Sequence, residues 1–423
     1  MALLAAGARE PSVADAPAST RHPGTTQPEP QRRQPAGEPL PFEQVALVLQ
    51  GGGALGSYQA GVVQALIERD IEPHWVAGIS IGALNAAIVA GNPPERRLDA
   101  LQAFWDTICQ PALPVPWMDA WQDWVVQCAP PVQRLFSAAA AWRAASEGQR
   151  AFFTPRGIWP WLGFDEGPQA SFYDTTALKR TLERLVDFDR INEGPMRVSV
   201  GAVNVRTGNL EYFDNRSPAR RCTLRAEHFM ASGALPPAFG AVEIDGEHYW
   251  DGGLVSNTPL QHVLDEAPDR STVAFQVDLW RARGSMPRNI YEVQARIKDI
   301  QYSSRTRAGT SRAGEARLLG NALQRMLAQV PEPTRSSDLW CQIAHRLGGA
   351  APVSVVHLIY QEKEWEGMAK DYEFSPRTMR LHWHVGLEDA RAALSHDNWW
   401  KGYQPDDPFA THDVRRALGS ENP

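Results

Sequence analysis

A serine in a glycine-flanked turn is the residue of this chain that is best suited to nucleophilic chemistry. Ser80 is the centre of Gly78-Ile79-Ser80-Ile81-Gly82, which follows an apolar strand-like run at 75–77 and precedes an apolar helical pattern at 83–90. A G-x-S-x-G sequence between a strand and a helix is the setting of a nucleophile elbow, where a sharp turn lifts the serine hydroxyl clear of the sheet. The pattern therefore predicts a nucleophile at Ser80.

Earlier in the chain, a glycine-rich loop joins another strand-like run to a helical pattern. The apolar run at 45–49 is followed by Gly51-Gly52-Gly53 and by Gly56, and the helical pattern begins at Ser57. Glycine lets the backbone approach a ligand closely, and the first amides of a helix lack internal partners. Such amides bind a phosphate or a developing oxyanion. A tight turn without a ligand is the alternative interpretation.

A third motif, Asp251-Gly252-Gly253, follows two short strand-like runs at 241–244 and 247–250. By itself, Asp-Gly-Gly predicts only a turn. Taken together and in this order, the three motifs resemble the patatin-like phospholipase family over roughly half of the chain, from Val45 to Leu264. The part that follows resembles the C-terminal extension of one bacterial subgroup of that family.

The resemblance implies a Ser–Asp dyad on a three-layer α/β/α fold. By position, Ser80 is the nucleophile, Asp251 is its base, and the oxyanion hole consists of the amides of Gly51, Gly52 and Gly53. Many members carry Arg or Lys at the position of Leu55. In this chain, the oxyanion hole would therefore consist of backbone dipoles without a cation. The remaining motif glycines are Gly56, Gly78, Gly82, Gly252 and Gly253.

The order of the predicted elements indicates how the site is held. Strands that alternate with helices predict an α/β fold with a mostly parallel sheet covered on both faces. We predict a disordered leader at 1–40, which contains seven prolines, and a patatin-like catalytic domain at 41–270. Residues 271–423 are predicted as an α+β C-terminal extension that packs on the core, with a late helix near 387–394. Runs at 197–205 and 210–213 predict a hairpin.

Two regions leave alternatives open. Residues 95–170 are predicted as a helical insertion that holds seven of the 15 tryptophans. The insertion is either a packed subdomain or a lid and acyl-binding wall over Ser80, since tryptophan suits a lipid–water interface. Residues 281–326 hold ten Arg or Lys against three acidic residues, and their helical apolar stripe consists of Ile290, Val293, Ile297 and Ile300. A basic amphipathic helix either binds an anionic membrane surface or docks on the protein.

Composition excludes several other classes of protein. A net charge of −7 does not suggest a nucleic-acid partner. The four cysteines form no C-x-x-C pair, and H-E-x-x-H and EF-hand sequences are absent, so we predict neither metal nor cofactor. No run approaches the roughly 20 apolar residues of a membrane span. We therefore expect a cytoplasmic protein that reaches lipid from the water side, with peripheral contact to an anionic inner membrane face left open. The oligomeric state is undetermined.

These features favour a serine acyl-ester hydrolase that acts on lipids through an acyl-enzyme intermediate. Two alternatives stay open: a peripheral membrane lipid-binding adaptor with a vestigial catalytic core, and an esterase or thioesterase for a non-phospholipid acyl substrate. A Ser-His-Asp triad is the rival mechanism, and it needs a histidine after the acid. The histidines considered for it, none in a recognisable catalytic context, are His262, His357, His382 and His384.

Overall fold

The computed structural model describes residues 40–111, 125, 128–163, 167, 170–218, 220–266, 270–303, 306–347, 351–396, 399 and 408–413. The predicted leader at 1–40 lies outside these residues except for Leu40, and Trp117, Trp121 and Trp124 of the insertion lie outside them as well. The strands are β1 (Gln44–Leu49), β2 (Trp75–Ile79), β3 (Thr154–Pro155), β4 (Tyr173–Asp174), β5 (Arg197–Asn204), β6 (Leu210–Asp214), β7 (Val242–Ile244), β8 (Glu247–Asp251), β9 (Thr272–Asp278), β10 (Val353–Ile359) and β11 (Phe409–Asp413).

Within the described part of the chain, nine strands form one sheet in the order β11-β10-β9-β1-β2-β5-β8-β7, with β6 paired to β5. β1 lies inside the sheet, where Ala46 is in register with Trp75 of β2 on one side and with Ala274 of β9 on the other. The pairs from β11 to β5 are parallel, whereas β5 with β6, β5 with β8 and β7 with β8 are antiparallel. The predicted mostly parallel sheet and the β5–β6 hairpin are confirmed.

The helices cover the sheet on both faces. They are α1 (Ser57–Ile67), α2 (Ile81–Ala90), α3 (Pro94–Ile108), α4 (Pro130–Glu147), α5 (Thr176–Leu185), α6 (Phe188–Glu193), α7 (Ala226–Ser232), α8 (Leu260–Glu266), α9 (Ile290–Tyr302), α10 (Thr306–Leu327), α11 (Glu332–Ser337), α12 (Leu339–Leu347) and α13 (Pro376–Ser395). Short 3₁₀ turns occupy Gly53–Gly56, Trp159–Leu162 and Gly252–Leu254.

Side-chain alternation along β1 divides the core into two layers. Leu47 and Leu49 pack with the buried residues of α1, α2, α3 and α13 on one face. Ala46 and Val48 point to the other face, where they pack with the buried residues of α8. Successive residues of a strand point to opposite faces, so an apolar run without alternation is buried on both sides. The predicted three-layer α/β/α fold is confirmed.

The C-terminal helix α13 crosses α1 at very short range. A Cβ atom at Gly61 would lie 1.9 Å from the carbonyl oxygen of Trp383, and one at Gly386 would lie 2.0 Å from that of Tyr58. Glycine on both helices thus lets the two backbones touch. The prediction of a helix near 387–394 was too short, because α13 begins at Pro376. The start signal is Ser375, whose hydroxyl accepts a hydrogen bond from the Thr378 amide, followed by proline at the first helical position.

The chain beyond residue 270 takes part in the sheet itself. β9, β10 and β11 extend the sheet from β1 outward, so this region adds strands as well as helices to the fold. α13 from the same region rests on α1, which follows the glycine loop. The helices of the described residues include none with the length and apolar character that a bilayer crossing requires.

Candidate active site

The turn that carries Ser80 is strained in the way that the sequence motif predicts. Ser80 lies between β2 and α2 with φ 55° and ψ −127°, a region that non-glycine residues rarely occupy. The flanking glycines make the turn sterically feasible. A Cβ atom at Gly78 would lie 2.4 Å from the carbonyl oxygen of Gly82, and one at Gly82 would lie 2.3 Å from that of Leu49. The serine is half-buried, at the start of a fully buried helix.

Asp251 stands at the end of β8 and is brought to Ser80 across the sheet. Its carboxylate accepts a hydrogen bond from the Gly253 amide at 2.7 Å, and the Ser80 hydroxyl is close enough to lower the pKa of the same carboxyl. The residue is only 2% exposed. Burial raises the pKa of the Asp251 carboxyl from its ordinary value of 3.8 to about 7, although the Ser80 hydroxyl and the Gly253 amide oppose that shift. Ser80 and Asp251 both line one cavity, in which the Asp251 side chain is withdrawn from solvent.

The backbone of the elbow is tied to a neighbouring helix by one hydroxyl. Ser232, the last residue of α7, accepts a hydrogen bond from the Ser80 amide at 2.9 Å and donates one to the Gly201 carbonyl oxygen at 2.7 Å. Ser232 is fully buried. The sequence analysis missed this residue, although a serine followed by glycine at the end of a small-residue helix was available as a signal.

The glycine loop lies directly against the nucleophile. A Cβ atom at Gly51 would approach the Cβ of Ser80 to 2.9 Å. The Gly51 amide, however, donates to the Asn257 carbonyl oxygen at 3.1 Å, so it is not available to an oxyanion. Among the described residues, the amides of Gly52 and Gly53 have no hydrogen-bond acceptor. Of the three amides predicted for an oxyanion hole, that of Gly51 is thus already bonded, and the hole itself stays a prediction.

Side chains from distant parts of the chain hold this loop in place. The Gly51 carbonyl oxygen accepts hydrogen bonds from Asn257 Nδ2 at 3.0 Å and from Trp280 Nε1 at 2.8 Å. Gln50 Oε1 accepts from the amides of Leu279 and Trp280, and its Nε2 donates to Thr258 Oγ1. These polar side chains are buried, and a buried polar network with every member paired rigidifies its surroundings. Gln50, a polar residue directly after a buried strand, was the signal that the sequence analysis did not use.

A large apolar cavity opens at the dyad. Its volume is about 640 Å³, within the range of small-molecule and lipid-binding pockets. One end contains Ser80, Asp251 and the glycine loop. The walls are mostly aromatic, and their rings make edge-to-face or tilted contacts with each other. These wall residues are Phe152, Phe153, Tyr173, Phe239 and Phe374. The arrangement suits an apolar chain that ends in a polar group at Ser80.

The insertion between 95 and 170 contributes one wall of this cavity. Ala138, Ala141 and Trp142 of α4 line it, and Trp142 is largely exposed at its mouth. Trp105, in contrast, is fully buried and donates to Asn85 Oδ1 at 3.0 Å. Among the described residues, Trp105 is thus a core residue, whereas Trp142 lies on the cavity wall. Whether α4 moves as a lid stays a prediction.

None of the histidines in the described part of the chain lines the cavity. His262 stacks on Tyr212 and lies 3.7 Å from an Asp214 carboxylate oxygen, on the face of the sheet opposite to α1. His382 is buried with its Nε2 2.6 Å from Glu366 Oε1. Among the residues that the structure describes, none of these histidines is therefore placed to form a Ser-His-Asp triad at Ser80. In the same described residues, no group of three His, Cys, Asp or Glu side chains is arranged to hold a metal ion.

Two family profiles match parts of this chain. The profile of a family described as patatin-like phospholipase matches residues 47–264, just over half of the chain, and a profile described as patatin phospholipase matches residues 300–406. A patatin-like phospholipase domain-containing protein of Chaetomium globosum is 36% identical over 100 residues, which is 21% of this chain and 12% of that protein. A triacylglycerol lipase of Arabidopsis thaliana, SDP1L, is 35% identical over 65 residues, 15% of this chain and 8% of that protein.

Among solved structures, VipD from Legionella pneumophila aligns with 88% of this chain and 72% of its own, at 15% identity and a TM-score of 0.36. The curated relatives are matched over a small part of their length only. The first family profile, in contrast, spans all three glycine motifs together with Ser80 and Asp251. On this basis, the chain belongs to the patatin-like phospholipase family.

Proposed function

We propose that this protein is a serine acyl-ester hydrolase that cleaves acyl esters of lipids, with Ser80 as nucleophile and Asp251 as base. Membership in the family supports lipid acyl hydrolase activity in general. The observation that carries the finer proposal is that Ser80 and the buried Asp251 carboxylate lie together at one end of an apolar cavity, where the Ser80 hydroxyl lowers the pKa of that carboxyl. A serine becomes an effective nucleophile when an adjacent base takes its proton.

The reaction proceeds in two halves. Asp251 takes the hydroxyl proton as Ser80 Oγ attacks the ester carbonyl carbon, and the Gly52 and Gly53 amides hold the resulting oxyanion. The tetrahedral intermediate collapses, the alcohol leaves with the proton from Asp251, and an acyl-Ser80 remains. Water, deprotonated by Asp251, then releases the acid and restores the serine. Each oxyanion donor contributes about 3–4 kcal/mol to the barrier reduction, so two free amides are a substantial part of it.

Burial of Asp251 makes the base stronger. A carboxylate of ordinary pKa is a weak base for an alcohol, whereas a general base with a pKa near the working pH is the effective one. Desolvation raises the pKa of Asp251 to about 7, since the charged form loses hydration in the cavity. The same apolar surroundings that accept an acyl chain therefore activate the base.

The pH dependence of turnover follows from this shift. The ionised form of Asp251 is the base, so kcat/KM for a soluble ester is expected to rise about tenfold per pH unit below the pKa and to level off above about 7. The measurement is kcat/KM for a p-nitrophenyl ester between pH 5 and 9, with stability checked at each pH. A plateau that extends unchanged down to pH 5 contradicts a base whose pKa is raised.

We propose further that helix α9 contacts an anionic membrane surface. Its apolar stripe faces away from the protein, since Ile290, Ile297 and Ile300 are exposed while Asp299 is buried. Tyr291, in the first turn of α9, lines the mouth of the cavity. The loop at 281–289 adds exposed Arg281, Arg283 and Arg288 without an acidic residue. Apolar side chains flanked by arginine match a surface of anionic lipid.

Substitution of this stripe tests the membrane contact. Ile297→Ser, 56% exposed in the wild type, is expected to lower binding to phosphatidylglycerol-containing vesicles about tenfold, because one buried apolar side chain contributes roughly 1.5–3 kcal/mol. Co-sedimentation with phosphatidylcholine vesicles, with and without phosphatidylglycerol, measures it. Leu319→Ser is the matched control, since Leu319 is 63% exposed on α10. Equal losses for both variants, or none for Ile297→Ser, argue against this face.

Covalent labelling distinguishes the hydrolase from the alternative of a lipid-binding adaptor. An alkyl fluorophosphonate phosphonylates a serine that is activated as a nucleophile, with loss of fluoride. A hydrolase is labelled at Ser80 and the Ser80→Ala variant is not, as peptide mass spectrometry would show. Vesicle binding without any labelling of Ser80 would favour the adaptor. A panel of phospholipid, hydroxyacid-ester and thioester substrates then decides between the phospholipase and the other esterase alternatives.

A further inference from the structure

A segment from the C-terminal region folds over the glycine loop. Residues 368–374, here called the strap, precede α13 and are far from the loop in sequence. Five of them line the same cavity as Ser80, namely Met368, Ala369, Asp371, Tyr372 and Phe374. The strap lies outside the part of the chain that the first family profile covers. It therefore adds a wall that the three glycine motifs do not provide.

The strap contacts the loop through the backbone. The Asp371 carbonyl oxygen accepts a hydrogen bond from the Ala54 amide at 2.8 Å. Gly53, which precedes Ala54, has φ +54°, and a Cβ atom at this position would lie 2.1 Å from the same Asp371 oxygen. Glycine is thus required at Gly53 both by its backbone conformation and by the approach of the strap. The position of the strap and the direction of the free Gly53 amide are consequently coupled.

Two crossed ion pairs join the strap to α9. Lys298 Nζ lies 2.8 and 2.9 Å from the two Asp371 carboxylate oxygens and donates to the Met368 carbonyl oxygen at 3.0 Å. In the opposite sense, Lys370 Nζ of the strap lies 2.7 Å from Asp299 Oδ1 of α9. Consecutive residues on each element thus carry opposite charges and pair crosswise.

The burial of these groups fixes the strap in one place. The side chains of Lys370 and Asp299 are 4% and 9% exposed, and Lys370 also lies 3.1 Å from Glu362 Oε2. A buried charge that loses its partners is strongly destabilised, and the partners of Lys370 are Asp299 and Glu362, while Asp299 also lies 3.9 Å from Arg296. Lys298 and Asp371 are partly buried and also pair within hydrogen-bond distance. A shift of the strap along α9 would separate both pairs at once.

We propose that the strap is a positioning element for the oxyanion loop and that Lys298, through Asp371, sets the direction of the Gly53 amide. The catalytic part of this inference rests on the proposed hydrolase function. Lys298 is a positioning residue, because it contacts the strap and does not line the cavity. Loss of its charge loosens the Asp371 carbonyl from Ala54 and misdirects an oxyanion donor that acts only in the transition state.

Lys298→Met is expected to lower kcat for a soluble ester about tenfold with KM nearly unchanged, since only transition-state stabilisation is lost. Lys298→Arg, which keeps the charge, is expected to retain most of kcat. The exchange variant Lys298→Asp/Asp371→Lys should recover more activity than either single change. Lys179→Met is the control, because it removes a lysine that pairs with Glu227 at 2.6 Å, outside the cavity lining. Equal kcat in Lys298→Met and the wild type overturns the catalytic part.

Hydrogen exchange of the peptide that contains Ala54 gives a readout without turnover. In the Ser80→Ala background, Lys298→Met is expected to speed exchange of the Ala54 amide about tenfold, because its acceptor is no longer held. Lys298→Gln, which keeps a donor for the Met368 carbonyl oxygen, is measured in the same way if the methionine variant does not fold. Unchanged exchange of the Ala54 amide in a folded variant contradicts the positioning role of the strap, even if the protein is a hydrolase. Faster exchange, together with a lack of esterase activity in the protein that retains Ser80, would support the positioning role of the strap and refute the proposed function.

Discussion

Ser80→Ala is expected to reduce turnover of a medium-chain p-nitrophenyl ester by roughly 10⁴-fold or more, with the fold unchanged. The reason is that all bond making in the proposed reaction passes through Ser80 Oγ, for which alanine has no substitute. The change removes one oxygen from a half-buried side chain and leaves the strained turn, the Ser232 tether and the flanking glycines in place. Release of p-nitrophenol measures the activity, and circular dichroism with a melting curve verifies the fold.

A nearby serine provides the control for this experiment. Ser146 is exposed on α4, next to Ala145 of the cavity wall, and its hydroxyl contacts only the Arg143 carbonyl oxygen among the described residues. Ser146→Ala should therefore retain turnover within about twofold, as most surface changes do. If Ser80→Ala and Ser146→Ala both keep wild-type turnover, another residue carries the reaction and the assignment of Ser80 is wrong.

Asp251→Asn is expected to lower kcat by about 10³- to 10⁴-fold and at the same time to stabilise the protein at alkaline pH. Asparagine keeps the shape and an acceptor oxygen for the Gly253 amide, yet it cannot take the Ser80 proton. The loss in kcat is measured with the same ester at pH 8. Full turnover of this variant would exclude Asp251 as the base.

The stabilisation follows from the raised pKa of Asp251. Its folded-state pKa of about 7 exceeds the ordinary value of 3.8, so between these two pH values the folded state binds a proton that the unfolded state has released. The wild-type free energy of unfolding therefore falls as pH rises through this window. Above about pH 7 the carboxyl is ionised in both states. The buried charge then lowers the free energy of unfolding by its full cost, on the order of 4 kcal/mol, which corresponds to the difference between the pKa of about 7 and the ordinary value of 3.8. Asparagine carries no such charge and avoids this cost.

Melting curves at two pH values isolate this effect. The melting temperature of Asp251→Asn minus that of the wild type is expected to be larger at pH 8.5 than at pH 5, by several degrees. Any effect of the asparagine amide on the melting temperature that does not depend on pH is the same at both pH values, so it cancels when the two differences are compared. Asp265→Asn, at an exposed aspartate of α8, is measured at the same two pH values as a control for the removal of a surface carboxylate. A difference for Asp251→Asn that is constant with pH shows that the carboxyl is not destabilised by burial.

Local sequence patterns accounted for the elements that carry the dyad. The apolar runs at 45–49 and 75–77 predicted the two central strands, and the glycines around Ser80 predicted its strained turn because only glycine tolerates such close carbonyl contacts. The hairpin at 197–213 followed from strand-like runs on both sides of a turn. Most of these features depend on residues close in sequence, although the contact of Gly82 with the Leu49 carbonyl oxygen forms only when β1 and β2 pair.

Features that depend on distant contacts could not be predicted in this way. The sequence motif presented the Gly51, Gly52 and Gly53 amides as equivalent, and only the position of Asn257 showed that the first one is already bonded. The periodicity of α9 predicted an apolar face without saying whether it points inward, and its burial turned out to be set by charged pairs at Asp299 and Lys298.

By itself, the sequence determined the strands, turns and helices around Ser80, because short-range backbone and side-chain preferences specify them, whereas the family and the pairing of Ser80 with Asp251 followed from the resemblance of three ordered motifs. The tertiary structure alone decided which amides remain free, which face of α9 meets solvent and that the strap at 368–374 completes the cavity. The physical reason is that hydrogen bonds and ion pairs between distant segments form only after packing has brought them together. The pattern of residues in one sequence does not show which distant segments come within hydrogen-bonding or ion-pairing distance.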